Sequence, residues 1–338
     1  MMIRTSCLIF CLSLGCLACA QPCPDAVTSP GDLECSVSGW SDRKYDLHLP
    51  PNYAASQPIP VVIGFHGGGG QKENVNKVSC PEGKSDNPKC LYNLADREGF
   101  AVVAPNGTSY FLLRTFNATN SGQGTGGFAC TSPSACNNNI DDVGYFRDLL
   151  SDLDRVINVD KSRVFLTGIS NGAAMTHRLA CEMADRVAAI APIAGENQFS
   201  AVNDCTPSRP VPVMEFHGTD DPFWAYGTET DDIDLNGQGK AFSVPHSIAG
   251  WVSRNGCDPT PTTVVIPDSD SSDGSTVTRE SYSQCQAGAD VILYKLNGGG
   301  HTWPDGWQYF SEPIVGNTNR DINANELMWE FFKAHPMP

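Results

Sequence analysis

The segment that most restricts the fold runs from Val164 to Ala180. Val164, Phe165 and Leu166 form an apolar run of the kind found in buried strands. Gly168-Ile169-Ser170-Asn171-Gly172 follows at once, and Ala173, Ala174, Met175, Leu179 and Ala180 then open a helix. A G-x-S-x-G pentapeptide between strand and helix is the setting of a nucleophile elbow, a strained turn that presents one serine hydroxyl. The spacing has a steric reason, because side chains two residues either side of the serine would block so tight a turn. The helix that begins there directs its N–H groups and positive end at the reaction centre. The plain alternative is a strand-to-helix turn rich in small residues.

The rest of the chain reads as strands alternating with helices. Lys44 to Leu49 alternates as a strand, and Pro60 to Phe65 is a continuous apolar run ending in His66-Gly67-Gly68-Gly69-Gly70. Leu91 to Glu98 reads as a helix and Phe100 to Ala104 as the next strand. Asp141 and Asp142 cap a helix whose apolar residues (Val143, Phe146, Leu149, Leu150, Leu153, Val156, Ile157) recur at helical spacing. Beyond the elbow, Val187 to Ile193, Val211 to Phe216 and Val291 to Leu296 read as strands. Thr262 to Ile266 and Thr276 to Tyr282 pair as a hairpin. Val244 to Ser253 and Ile322 to Phe332 read as helices. Residues 71–90, 107–139 and 223–243 are polar, turn-rich excursions. The pattern predicts an α/β fold, a mostly parallel doubly wound sheet of α/β-hydrolase type, with chemistry-bearing loops at the strand C-terminal ends.

The first twenty residues read as an export signal, with Arg4, an apolar core and Ala18-Cys19-Ala20 as a cleavage site. Residues 21–43 then form a disulfide-pinned leader, and 44–338 one catalytic domain. Of the fourteen cysteines, Cys7, Cys11, Cys16 and Cys19 fall in the signal. The other ten are Cys23, Cys35, Cys80, Cys90, Cys130, Cys136, Cys181, Cys205, Cys257 and Cys285. An even number in an exported chain implies disulfides, and pairing of sequence neighbours is the simplest arrangement. No C-x-x-C pair exists among them, so the sequence offers no zinc or thioredoxin-like site and implies neither metal nor cofactor. A formal net charge of −16 disfavours nucleic acid and anionic membranes as partners, and a soluble monomer is expected. Asp231 to Asn236 is faintly calcium-loop-like but reads better as a solvated acidic loop. Asn106 and Asn117 head glycosylation sequons, relevant only in a eukaryotic secretory route.

A serine nucleophile needs a base, and the base needs an acid that fixes its tautomer. On this fold the chain order is Ser, acid, His. His301, in a glycine-rich loop after a strand, is the best-placed histidine after Ser170; the glycines are expected to let the ring swing towards the serine. The acid comes from His217-Gly218-Thr219-Asp220-Asp221-Pro222, where Asp221 is favoured over Asp220 because Pro222 restricts its backbone. Oxyanion donors are expected from the Asn171 backbone and from the glycine loop at 67–70. Trp303, Phe223 and Trp224 flank these loops and are candidates for a substrate pocket, or for simple loop packing.

With these pieces in order, the chain resembles the exported serine esterases of the poly(3-hydroxybutyrate) depolymerase-like, feruloyl and acetylxylan esterase group (carbohydrate esterase family 1-like). The resemblance rests on Phe65–Gly70, Ala104–Thr108, Asp141–Phe146, Gly168–Gly172, Arg178–Glu182, Ala188–Gly195, Phe216–Pro222, Trp251–Cys257 and Gly298–Pro304. It implies an acid at Asp221, a base at His301, an oxyanion donor at Gly68, and bridges 181–205 and 257–285. It also implies a carboxylic ester substrate. Hydroxycinnamoyl esters of plant cell-wall polysaccharide rank first, hydroxybutyrate oligomers or polymer second and acetylated xylan third. An inactive, hydrolase-like binding protein is the alternative from a different class.

Overall fold

The computed structural model describes residues 22–40, 42–110, 113–119, 135, 138–227, 233–234, 240–241 and 243–338. The expected signal and the Cys130 and Cys136 loop lie outside these residues, as does most of the acidic loop at 231–236.

Strand β1 (Gly31–Ser36) pairs antiparallel with β2 (Lys44–Leu49). Next come β3 (Ile59–Phe65), helices α1 (Glu73–Ser79) and α2 (Leu91–Glu98), and β4 (Ala101–Pro105). A small hairpin of β5 (Thr108–Tyr110) and β6 (Leu113–Thr115) precedes α3 (Asp142–Val156). Then follow β7 (Val159–Ile169), α4 (Asn171–Glu182), β8 (Ala189–Ile193), α5 (Gln198–Val202) and β9 (Val213–Gly218). A two-residue pair, β10 (Ile233–Asp234) and β11 (Lys240–Ala241), leads to α6 (Val244–Asn255). The chain closes with β12 (Thr262–Ile266), β13 (Thr276–Tyr282), β14 (Val291–Asn297), α7 (Glu312–Val315) and α8 (Ala324–Ala334).

Ten strands form one sheet in the order β1-β2-β4-β3-β7-β8-β9-β14-β13-β12. The block from β4 to β14 is parallel, and an antiparallel pair closes each edge. Strands β3, β8 and β9 are buried at every residue, because helices cover both faces. Helices α3, α4 and α6 pack on one face, and α1, α2 and α8 on the other. The register puts the ends of β3, β7, β8, β9 and β14 at one edge, so the loops at 66–70, 170, 194–197, 219–224 and 298–301 converge there.

Several expectations are refined. The Cys23–Cys35 bridge closes within the leader and does not pin it to the body; the edge strand at 31–36 and the Ala26 and Val27 N–H groups, which donate to the Arg155 and Val156 carbonyls, hold it there. The excursion at 71–90 contains α1, whose Val75 and Val78 face the core. The expected hairpin is present, with Ile266 paired to Val277 and residues 267–275 connecting its strands. Both sequon asparagines are buried: Asn106 accepts from the Lys72 N–H at 2.9 Å, and Asn117 donates to the Ile140 carbonyl at 2.9 Å. Neither amide can carry a glycan in the folded chain. Cysteines pair as sequence neighbours, 23–35, 80–90, 181–205 and 257–285.

Candidate active site

Strand β7 delivers Ser170 into a turn that only a crowded backbone could enforce. Its φ is +58° and its ψ −122°, a region costly for a side-chain-bearing residue. The Ser170 N–H donates to the Ile193 carbonyl at 3.0 Å, and the Ala174 N–H returns to the Ser170 carbonyl at 3.0 Å. The flanking glycines are required by contact. A Cβ on Gly172 would lie 2.2 Å from the Phe65 carbonyl oxygen, and one on Gly168 2.7 Å from the Gly172 backbone. Gly195 is held for the same reason: its Cβ would meet the Ser170 carbonyl oxygen at 2.5 Å.

The glycine loop after β3 is shaped by hydrogen bonds. Gly69 N–H donates to the Arg114 carbonyl at 2.8 Å and Gly70 N–H to that of Gly67 at 3.0 Å. Gly68, between Gly67 and Gly69, lines the cavity beside Ser170, and its N–H has no partner among the described residues. Buried His66 staples the loop. Its Nε2 accepts from the Gly107 N–H at 2.9 Å, so its proton is on Nδ1, which donates to the Gly67 carbonyl at 2.8 Å. Burial pushes the His66 pKa down to about 4 and keeps the ring neutral. The Asn171 side chain braces the elbow rather than the cavity. Its Oδ1 accepts from the Phe116 N–H at 2.7 Å and its Nδ2 donates to the Phe116 carbonyl at 3.0 Å.

His301 and Asp221 are brought together. His301 Nδ1 lies 2.6 Å from Asp221 Oδ2, while Asp221 Oδ1 accepts from the N–H groups of Phe223 at 2.8 Å and Trp224 at 2.7 Å. Burial alone would raise the Asp221 pKa, but His301 and His217 more than reverse this and hold it well below the usual carboxylate range. Asp220 is exposed and takes only the Thr219 hydroxyl, so the structure pairs Asp221, not Asp220, with the histidine. The glycines before His301 serve close packing rather than swing. A Cβ on Gly300 would sit 2.1 Å from the Val315 carbonyl oxygen, and the His301 N–H donates to that same oxygen at 2.6 Å.

Ser170 and His301 open on one cavity of about 550 Å³. Its walls are the 66–70 loop, Asn74, Lys77, Val78 and Ile169, with an aromatic side formed by Phe223, Trp307, Tyr309 and Phe310. Of the three aromatic candidates, only Phe223 lines it, with its ring edge-on to that of His301 at 5.3 Å between centroids. Trp303 is instead fully buried, donating to Asn325 Oδ1 at 3.0 Å. Trp224 is also buried and serves the acid through its backbone. Trp307 takes the place expected of Trp303. Its N–H donates to the Val78 carbonyl at 3.0 Å, and its ring packs on Gly83, inside the loop closed by Cys80–Cys90. The aromatic run Trp303, Trp307, Tyr309, Phe310 was the available signal, but nothing local said which ring would face the cavity. Among the described residues, no cluster of three His, Cys, Asp or Glu is arranged to hold a metal ion.

No protein-family model matches the chain. It is 29% identical over 302 residues to feruloyl esterase C of Emericella nidulans, covering 88% of this chain and 86% of that protein. It is 26% identical over 276 residues to feruloyl esterase B of Piromyces equi, covering 80% of this chain but 45% of the relative. Among solved structures, the acetyl xylan esterase from Aspergillus awamori superposes with a TM-score of 0.54 at 16% identity, over 90% of this chain and 99% of that one. The fold is that of an α/β-hydrolase. Fold and similarity together define a carboxylic ester hydrolase, and the chain is similar over most of its length to the feruloyl and acetylxylan esterase group.

Proposed function

We propose that the protein is an exported serine esterase that cleaves hydroxycinnamoyl esters of plant cell-wall polysaccharide through an acyl-enzyme, acting as a monomer on its own catalytic domain (44–338). Ser170 Oγ attacks the ester carbonyl as His301 Nε2 takes its proton. Asp221 holds the opposite ring nitrogen and stabilises the imidazolium. The carbonyl oxygen becomes an oxyanion held by the Gly68 and Asn171 backbone N–H groups. Its collapse expels the alcohol, which leaves with the proton from His301. Water, deprotonated by His301, then attacks the acyl-serine, and the acid departs as the proton returns to Ser170. Every step uses side chains and backbone alone.

The observation that carries the substrate class is the aromatic wall of Phe223, Trp307, Tyr309 and Phe310 in the cavity that holds Ser170 and His301. A flat aryl acyl group can stack there, whereas an acetyl group would leave most of that wall wet. The names of the feruloyl esterase relatives agree with it. Export is supported by the signal-like first twenty residues and by the four disulfides among the described residues. Among the described residues, no helix is long and apolar enough to cross a membrane.

The test is turnover of methyl ferulate, acetylated xylan and hydroxybutyrate oligomers by wild type and Ser170→Ala. Methyl ferulate should be preferred, and the variant should lose activity by about 10⁵-fold or more. Surviving turnover in Ser170→Ala would defeat the mechanism, and equal rates on the three substrates would defeat the substrate assignment.

A further inference from the structure

A chain of buried titratable groups runs inward from the acid, away from the cavity. Asp221 Oδ2, already bonded to His301, also faces His217 Nε2 at 3.4 Å. That same nitrogen is 3.0 Å from the Trp224 carbonyl, an oxygen that can only accept, so Nε2 carries a proton. It also lies 3.6 Å from Glu196 Oε1. On the other side of the ring, His217 Nδ1 is 3.7 Å from Glu215 Oε1, and Glu215 Oε2 is 3.7 Å from His177 Nε2. His177 Nδ1 accepts from the Trp251 indole at 3.0 Å; an indole only donates, so His177 carries its proton on Nε2, the nitrogen nearest Glu215. All of these side chains are buried, and Glu196 Oε1, both Glu215 oxygens, His217 Nδ1 and His177 Nε2 have no hydrogen-bond partner among the described residues.

We propose that His217 is a positioning residue for the catalytic acid: its Nε2 faces the same Asp221 oxygen as His301 Nδ1 and presents a positive charge there, with Glu196 and Glu215 around its ring. The proposal rests on the serine-esterase reading. The geometry leaves few alternatives. With its Nε2 proton fixed by Trp224, His217 can gain or lose a proton only at Nδ1, which looks at Glu215. An apolar interior cannot hold Asp221, Glu196 and Glu215 all as anions around a neutral ring. Burial pushes the His217 pKa down, but Glu196, Asp221 and Glu215 reverse this and set it well above the usual histidine value. Burial in turn holds the carboxyl groups of Glu196 and Glu215 above their usual range. The groups facing His217 are thus Glu196 after β8, Glu215 and Asp221 around β9, and His177 of α4 beyond Glu215. The Tyr226 ring lies at 6.2 Å, and Lys295, whose ammonium sits over Tyr226, is the register partner of His217 on β14. A cation behind Asp221 opposes a second positive charge on His301, which shares the same carboxylate oxygen.

The test is a ¹³Cε1-histidine NMR titration of wild type and His217→Gln, with the His301 signal assigned by its loss in His301→Gln. Without the cation, His301 should titrate higher by about half a unit or more. The acid limb of kcat/KM should move with it, and kcat should fall with little change in KM. A folded His217→Gln whose His301 midpoint stays within about 0.1 unit of wild type overturns the proposal. Should that variant fail to fold, Glu215→Gln keeps the shape and removes the carboxyl charge that faces Nδ1 at 3.7 Å. It should move His301 in the same direction, and an unmoved midpoint there overturns the proposal equally. The titration needs no substrate, so failure of the esterase mechanism, read from Ser170→Ala turnover, is seen separately.

Discussion

At the scale of single residues, the site holds strain where the chemistry needs it. Ser170 sits at a φ of +58°, which glycine adopts freely and serine does not. Ser170→Gly should therefore raise stability by about 1 kcal/mol while removing the proposed nucleophile, a trade readable from paired urea denaturation and turnover. Asn171 gives the opposite case. Its amide closes two hydrogen bonds on the buried backbone of Phe116. Asn171→Ala would orphan both groups at about 1–3 kcal/mol each, and leaves the proposed oxyanion N–H on a looser helix start. Denaturation should show a loss of about 2–6 kcal/mol, with kcat falling more than KM rises.

At the scale of elements, the loops around the elbow are tied down by side chains far from it in sequence. Buried Arg43 donates to the Asn106 carbonyl at 2.7 Å and Asp142 Oδ1 at 2.6 Å, with its guanidinium 3.7 Å above the Tyr145 ring. It joins the start of β2, the 106–108 loop and the start of α3. Arg43→Met leaves Asp142 buried without its cation and should cost about 3–5 kcal/mol by thermal or urea unfolding. The Cys80–Cys90 bridge plays a similar part for the aromatic wall, because the loop it closes carries Gly83, on which Trp307 packs. The double variant Cys80→Ala, Cys90→Ala should raise KM for methyl ferulate several-fold, with kcat nearly kept. These ties also explain what could be read in advance. Strands β3, β8 and β9 were legible because burial on both faces leaves an unbroken apolar run. Helix α1 was not, since Glu73 to Ser79 buries only two of its apolar side chains in a polar stretch. Nor was β1, an edge strand covered at one end only. Ser170, Asp221 and His301 announce themselves through local turn chemistry. Trp307 does not, because its place depends on Val78 and Gly83, more than two hundred residues earlier in the chain.

At the scale of the whole molecule, response to acid is the property most shaped by the buried histidines, and its sign has to be worked out group by group. His66 and His177 are held neutral by burial, with pKa values pushed down to about 4 and about 3. Between the usual histidine value and these, the unfolded chain binds protons that the native one refuses. Both groups therefore make stability fall as pH drops from about 6.5. Glu196, Glu215 and His217 act the other way. Their native pKa values are raised, so the native chain binds more protons, and their contribution is lost as pH rises. The total curve is a difference of opposing slopes, and its shape alone would assign nothing. A variant difference removes the shared terms. In His66→Gln the amide can replace the bonds to Gly67 and Gly107 but cannot take a proton, while every other group is retained. The stability advantage of wild type over His66→Gln should be about 2 kcal/mol larger at pH 7 than at pH 4.5, the integral of one histidine lowered from 6.5 to about 4. Urea unfolding of both proteins at the two pH values measures it. A constant difference would mean that His66 is protonated in the native state and that the glycine loop is not held by the neutral ring.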